Sequence, residues 1–375
     1  MRAWLLILLV AASGCSAVLG LREGKVEGSS CSSDDDCEPG RRCFDDRCED
    51  DGSMCTGTVR RCDGLQPQEC RGGRWVDDGS HCTESCATGE CVPRPSCDAT
   101  LECGDKRASC CEAIEVRGGT FYLRSDSRDR SHPRRVSPFV LDRFEVTVGR
   151  FRKFARAYLE SNLPEDGAGA HPKIEGSGWQ AAWNGDRTLL KSNDRAIDAQ
   201  LQNCGDWGNE IAHDLPVRCV NWYTAFAFCI WDGGRLPTEA EWQFAAAGGN
   251  MQRVYPWSEG DRDDSIYPRH ACFNRPFPER VGTHPDGRGP YGHDDLAGNV
   301  SEWVLDYYRE DLSDETCRRD DVLVDCAELG PTCCRGLKGG SFRFMEAQLK
   351  NAYPNGDEPA RWEETHGFRC ARDPG

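Results

Sequence analysis

Cysteine is the residue type with the most chemistry to offer in this chain of 375 residues, which carries 24 of them. Cys15 closes an N-terminal apolar run. Of the remaining 23, 14 fall between Cys31 and Cys111. Such density belongs to an oxidising compartment, where a small unit with little apolar content is held by bridges. The CxxC and Cys/His spacings of a zinc site are absent. An odd number leaves one thiol that is free, paired with another chain or reduced. Cys333 and Cys334 are neighbours. Adjacent cysteines rarely bridge each other without strain, so each is expected to find a different partner, for example Cys317 or Cys326. The run Asp34-Asp35-Asp36 lacks the glycine and glutamate offsets of a calcium loop and reads as a solvated turn. The eight histidines are scattered, with no i, i+4 pair, and no Ser-His-Asp order, HExxH or phosphate loop is recognisable.

The elements that would hold reactive groups in place lie mostly in the C-terminal two thirds. Residues 115–123 predict a strand entered through a glycine turn. Residues 138–154 predict a strand and then an amphipathic helix with Phe151 and Phe154 on one face. Residues 221–231 predict an apolar helix closed by Gly233-Gly234. In 235–249, Thr238 and Glu241 have capping-box spacing and Gly248-Gly249 ends the helix. The organisation reads as a signal peptide over 1–14, a tether over 15–30, cysteine-rich stapled modules over 31–111 and a larger domain over 112–375. Phe44, Trp75, Val76 and little else could form a core in the cysteine-rich part, so bridges must substitute.

Residues 1–15, MRAWLLILLVAASGC, place a basic residue, a short apolar run and small residues ahead of Cys15. This resembles a lipobox, in which the cysteine is acylated and becomes the N-terminus; Ala12 stands where leucine is usual. A lipid at Cys15 would anchor the protein in the cell envelope, at the outer membrane or periplasmic face. The formal net charge of −17 argues against nucleic acid as a partner, because binding there rests on neutralising phosphates.

Five blocks in order, VRGGTFYL (116–123), LDRFEVTVGRFRKF (141–154), LPVRCVNWYTAFAFCIWDGGRLPTEAEWQFAAAGG (215–249), YGHDDLAGNVSEW (291–303) and KGGSFRF with THGFRCAR (338–344, 365–372), resemble the formylglycine-generating enzyme (sulfatase-modifying factor) family. The resemblance implies an irregular α+β domain related to the C-type lectin fold, with few regular elements, behind a small disulfide-rich region.

Active members of that family oxidise a sulfatase cysteine to formylglycine with oxygen and copper(I). Two cysteines, third and eighth after the serine of the Gly-Gly-Ser-Phe block, hold the metal, because a soft ion suits thiolates. Counting from Ser341, those places hold Phe344 and Leu349, which cannot ligate, so copper is not expected. The three residues become candidates for lining a binding groove. The family's structural calcium would take carboxylates of Asp295 and Glu302 and backbone carbonyls of Gly298 and Val300; the plainer use of both acids is capping turns. A second calcium site near Asn274 lacks evident distal ligands. Cys229 and Cys370 match a pair that is bridged in the family. A second family bridge is absent at both ends, where Ala246 and Pro354 stand, and Cys204 and Cys219 flank a loop that an extra bridge could close.

The reading that results is an exported lipoprotein whose family domain has lost the copper chemistry and binds a peptide, glycan or protein. Two alternatives stand beside it. One is a formylglycine-generating oxidase with its copper site relocated to Cys333 and Cys334; the other is a structural component of the envelope.

Overall fold

The computed structural model describes residues 41–44, 47–50, 55, 59–71, 74–87, 89–98, 100–124, 133–158, 163–185, 204, 207, 212–259, 265–310 and 323–374. The signal peptide, Cys15, the tether and Asp34–Asp36 lie outside the described residues. Contacts divide the chain into two units, Met1–Ser53 and Met54–Gly375. The first contributes an antiparallel hairpin of β1 (Arg41–Phe44) and β2 (Arg47–Asp50), with Cys43 opposite Cys48.

The second unit begins earlier than the change in composition at residue 112. Its cysteine-rich part is a meander of β3 (Arg60–Asp63), β4 (Gln66–Arg71) and β5 (Arg74–Asp77). Two short ribbons follow, β6 (Cys86–Ala87) with β7 (Glu90–Cys91) and β8 (Glu102–Cys103) with β9 (Ala108–Ser109). Bridges Cys55–Cys70, Cys62–Cys86, Cys82–Cys91, Cys97–Cys111 and Cys103–Cys110 staple this part. Its few apolar groups are not a core of their own. Leu65 and Cys82 pack with Ala113 and Val140, and Cys103 and Cys110 with Phe144 and Val281. That shared burial is why the structural division falls before these residues and not after them.

Three further sheets follow. One orders β10 (Ala113–Val116), β13 (Phe139–Asp142) and β19 (Ala371–Arg372). Another orders β11 (Gly119–Tyr122), β12 (Pro133–Val136) and β15 (Leu323–Val324). The third orders β17 (Gly356–Asp357), β16 (Arg335–Lys338), β14 (Ser301–Tyr307) and β18 (His366–Gly367). Among the described residues three α-helices pack around them, which makes the fold mixed α+β with few helices.

Helix α1 (Val148–Tyr158) turns Phe151 and Phe154 into the core, where Phe151 stacks on Phe228 at 5.8 Å. Helix α2 (Trp222–Trp231) is apolar all round and correspondingly buried; the Asn221 side chain caps it by accepting from the Thr224 N–H. Helix α3 (Glu239–Ala247) starts at a full capping box: Glu241 N–H donates to Thr238 Oγ1 at 3.0 Å, and Thr238 N–H to Glu241 Oε2 at 2.8 Å. Gly248 ends it with φ +71°, a left-handed conformation that glycine adopts without a Cβ clash. Cys229 of α2 is bridged to Cys370 beside β19, closing a separation of 141 residues. Cys204 is bridged to Cys219.

Cys333 and Cys334 do not take separate partners, as the sequence reading expected: they are bridged to each other. Among the described residues the free thiol, Cys272, is sealed in the interior, and Cys326 is bridged elsewhere, so neither serves as partner.

Candidate functional site

Strand β16 runs into the turn Gly339-Gly340-Ser341. Gly340 has φ +70°, and a Cβ there would lie 2.7 Å from the Gln348 carbonyl oxygen, so the turn can close on the following segment only with glycine. Two other segments lace onto it through the backbone. Gly298 N–H donates to Gly339 O at 2.9 Å and Phe342 N–H to Asn299 O at 2.8 Å. Asn274 N–H donates to Phe344 O at 3.0 Å, and Asn299 N–H to Cys272 O at 2.9 Å. The turn 295–302, the run 272–275 and the Gly-Gly-Ser-Phe block therefore form one assembly, although they lie far apart in sequence.

Phe344 and Leu349, the positions at which the family resemblance would put copper ligands, are part of its apolar filling. Leu349 is wholly buried among Tyr255, Ile266, Ala271 and Ala297, and Phe344 packs against the same group with Trp257 and Phe273. Tyr255 stacks on Trp257 at 5.1 Å and donates its hydroxyl to the Glu346 carbonyl at 3.1 Å. Ser341 is also closed to solvent, and its Oγ accepts from the Arg343 N–H at 3.3 Å. Of Ser341, Phe344 and Leu349, only Phe344 reaches the surface, with the exposed Met345 beside it. The bridged Cys333 and Cys334 sit at the opposite end of β16, eight and seven residues before Ser341. At about 3.3 Å per strand residue that is too far for their sulfurs to reach the turn.

Behind the turn lies a buried acid cluster. Glu302 is held on both oxygens by Arg369, Nε to Oε2 at 2.7 Å and Nη2 to Oε1 at 2.8 Å, and Oε2 also accepts from Trp242 Nε1 at 2.9 Å. Asp295, in the left-handed region at φ +57°, accepts the Gly282 N–H on Oδ2 at 2.6 Å. Glu145, which the sequence reading did not single out, accepts from Asn299 Nδ2 at 2.6 Å and from the Val300 N–H at 3.0 Å. Burial, then the charges of Asp295 and Glu302, raise the Glu145 carboxyl well above its usual range. Burial, then Asp294, pushes Asp295 up to about 6. Three buried carboxylates thus face one guanidinium. The sequence signals were present: Glu145 sits between Phe144 and Val146, and Arg369 between Phe368 and Cys370, charges set in runs that otherwise face a core.

This donor set fits a hard cation in charge and in ligand type, since a buried surplus of carboxylates calls for a partner. Asp295 is held by the Gly282 N–H on Oδ2, whereas both Glu302 oxygens are already shared with Arg369. Cys272, beside this turn, has its thiol pushed up to about 12 by burial and then by Glu279, which leaves it protonated and inert.

The profile of the sulfatase-modifying factor enzyme 1-like domain matches residues 99–374. The formylglycine-generating enzyme of Mycobacterium tuberculosis is 35% identical over 305 residues, covering 70% of this chain and 98% of its own. The inactive C-alpha-formylglycine-generating enzyme 2 of Bos taurus is 29% identical over 290 residues, covering 70% and 88%. The serine/threonine-protein kinase Pkn1 of Chlamydia trachomatis is 36% identical over 161 residues, covering 42% of this chain. The chain spans only 24% of that kinase's length.

Proposed function

The chain belongs to the sulfatase-modifying factor enzyme 1-like family, and from that premise we propose that it is a non-catalytic member, exported and lipid-anchored at Cys15, that binds a peptide, glycan or protein. The observation that carries the reading is the burial of Leu349 and the packing of Phe344 against the same apolar cluster. Those side chains stand where the family's oxidases place two thiolates, and they offer a soft metal no donor. A relative named as inactive accompanies one named as an enzyme among the similar proteins, so both conditions accompany this fold. The density of bridges fits an exported protein, and no helix among the described residues is long and apolar enough to cross a membrane.

Calcium belongs to the same proposal. Asp295 and Glu302 through carboxylates, and Gly298 and Val300 through backbone carbonyls, would hold it, Glu302 keeping Arg369 as its second partner. The ion would act as a structural cross-link under the Gly-Gly-Ser turn. This chain's own contribution is the buried acid surplus that the ion would balance.

The decisive experiment incubates the purified full chain with a sulfatase-motif peptide, copper(I) and oxygen, and reads the peptide mass. No conversion of the cysteine is expected. Turnover would overturn the reading. Metabolic labelling with a fatty acid should mark the wild-type protein and not Cys15→Ala; normally processed, unlabelled protein would sink the anchor.

A further inference from the structure

The bridge between Cys333 and Cys334 spans a sequence separation of 1, whereas Cys229–Cys370 spans 141. A bridge stabilises a fold chiefly by removing freedom from the unfolded chain, and the gain grows with the loop it closes. The shortest possible loop gains least, so this pair has little to contribute as a staple.

Its surroundings favour reaction instead. Cys333 is exposed, whereas both residues of Cys103–Cys110, Cys204–Cys219 and Cys229–Cys370 are buried. Cys334 is anchored through its backbone: its N–H donates to Thr332 Oγ1 at 3.3 Å, and its carbonyl accepts from Tyr308 N–H at 2.9 Å and from Thr332 Oγ1 at 3.1 Å. Those bonds do not involve sulfur, so the loop keeps its attachment to Tyr308, just beyond β14, whichever state the sulfurs are in. Among the described residues no other accessible thiol competes for exchange: Cys272 is buried with its thiol held protonated, and Cys326 is already bridged.

We propose that Cys333–Cys334 is a reversible thiol–disulfide exchange site, addressed by a dithiol reductant, and that its reduced form is a neighbouring-thiol site for thiophilic ions. A thiolate of the reductant attacks the exposed Cys333 sulfur, and the Cys333–Cys334 bond breaks with the electron pair leaving on Cys334, which takes a proton from solvent. The second thiol of the reductant then attacks the mixed disulfide and releases Cys333 as a thiol. Two electrons and two protons pass to the protein, and the reductant leaves as its own disulfide.

The test treats the natively folded full chain with graded dithiothreitol, traps thiols by alkylation and maps the peptides. The peptide carrying Cys333 and Cys334 should gain two alkyl groups while Cys229–Cys370 remains linked. Phenylarsine oxide, which bridges two neighbouring thiols, should then label the reduced wild type and not the Cys333→Ser, Cys334→Ser variant. That variant should melt within about 2 °C of wild type, the shift expected when well under 1 kcal/mol is lost in a domain of this size. The proposal is overturned if the peptide stays unalkylated until the whole protein unfolds, or if Cys333 or Cys334 maps to another cysteine such as Cys317. A melting temperature in the double variant as low as that of Cys229→Ser, Cys370→Ser would also overturn it, because the pair would then be a staple.

Discussion

Arg94 Nη1 lies 2.6 Å from Asp142 Oδ1, with both side chains closed to solvent. One residue comes from the bridged segment and the other from β13. Around them Arg150 reaches both Asp142 (2.9 Å) and Asp232 (2.7 Å), and Arg372 reaches Asp142 (2.6 Å) and Asp232 (2.9 Å). Arg94 also donates to the Cys111 carbonyl, and Ser96 Oγ accepts from Arg150 Nε at 2.9 Å. Three guanidinium groups therefore share two carboxylates. The bridged segment supplies one corner of the ion network at the centre of the fold, and this ties it to the family domain more firmly than its scarce apolar groups could.

The charge count makes a prediction. Asp142→Asn leaves three cations against Asp232 alone and should cost about 3–5 kcal/mol, the range for breaking a buried pair from one side. Arg94→Met leaves two against two. Burial and the neighbouring Arg372 already draw Arg94 down to about 10, so its removal should cost no more than about 2 kcal/mol, mostly the lost bonds to Cys111 and Asp142. Urea unfolding midpoints measure both. Equal losses would refute the charge-count argument.

If Phe344 and Leu349 are core and not the remains of a metal site, truncation should be felt as lost packing. Leu349→Ala should cost about 2–5 kcal/mol, as for other fully buried leucines. Phe344→Ala, from a partly exposed position, should cost less. Thermal unfolding with and without added copper(I) distinguishes the two views. Copper protection of the Phe344→Cys, Leu349→Cys variant alone would agree with lost ligands, whereas protection of wild type would contradict them.

His366 gives a pH prediction. Its ring meets Trp303 edge-on at 4.9 Å and faces Asp357 at 3.9 Å. Burial draws its pKa down to about 4; Asp357 raises it and Arg361 lowers it, and burial outweighs Asp357. The folded state therefore refuses a proton that the unfolded chain binds below about 6.5. Stability from this group is full above that pH and is lost as pH falls from 6.5 towards 4, by up to about 3 kcal/mol. Asp306, pushed up to about 7 by burial and Glu239, acts in the opposite sense across the whole of this window. The comparison is therefore between wild type and His366→Phe, which keeps an aromatic ring on Trp303. The variant should hold its stability better at pH 5, and parallel curves would show that His366 does not titrate as its burial requires.

How much of this was legible depended on how local the cause was. The cap at Thr238 and Glu241, the glycine stop at Gly248 and the apolar α2 follow from residues within a few positions of one another, and their elements form where the pattern put them. Family order carried the Cys229 and Cys370 pairing, which no local rule could give. Glu145 was not singled out because its partners, Asn299 and Val300, are some 155 residues away. Arg94 was missed for the same reason, and because cysteine spacing made its segment read as a separate module. The bridge between Cys333 and Cys334 went against a sound general expectation about strain; among the described residues the other two thiols considered are sealed in the interior, as Cys272 is, or bridged elsewhere, as Cys326 is.

Calcium at the Asp295 turn should make the fold sensitive to chelation, and the choice of variant decides what that sensitivity reports. A ligand that binds only the folded state at a hundred times its Kd adds about 2.7 kcal/mol, worth about 4–5 °C in a domain of this size. Chelation should lower the melting temperature of wild type by about that much, and elemental analysis should find the ion. Glu302→Gln is a poor probe: it also reduces the two charged bonds to Arg369 to at most one neutral bond and leaves a buried guanidinium short of a partner, so the fold would weaken whether or not calcium binds. Asp295→Asn is the informative change. It keeps the shape and an acceptor for the Gly282 N–H and removes only the charge that a cation would use. It should abolish the response to chelator while raising the melting temperature of the metal-free protein, because one of three crowded acids is gone. A wild type that ignores chelator and carries no metal would reduce Asp295 to a turn-capping residue.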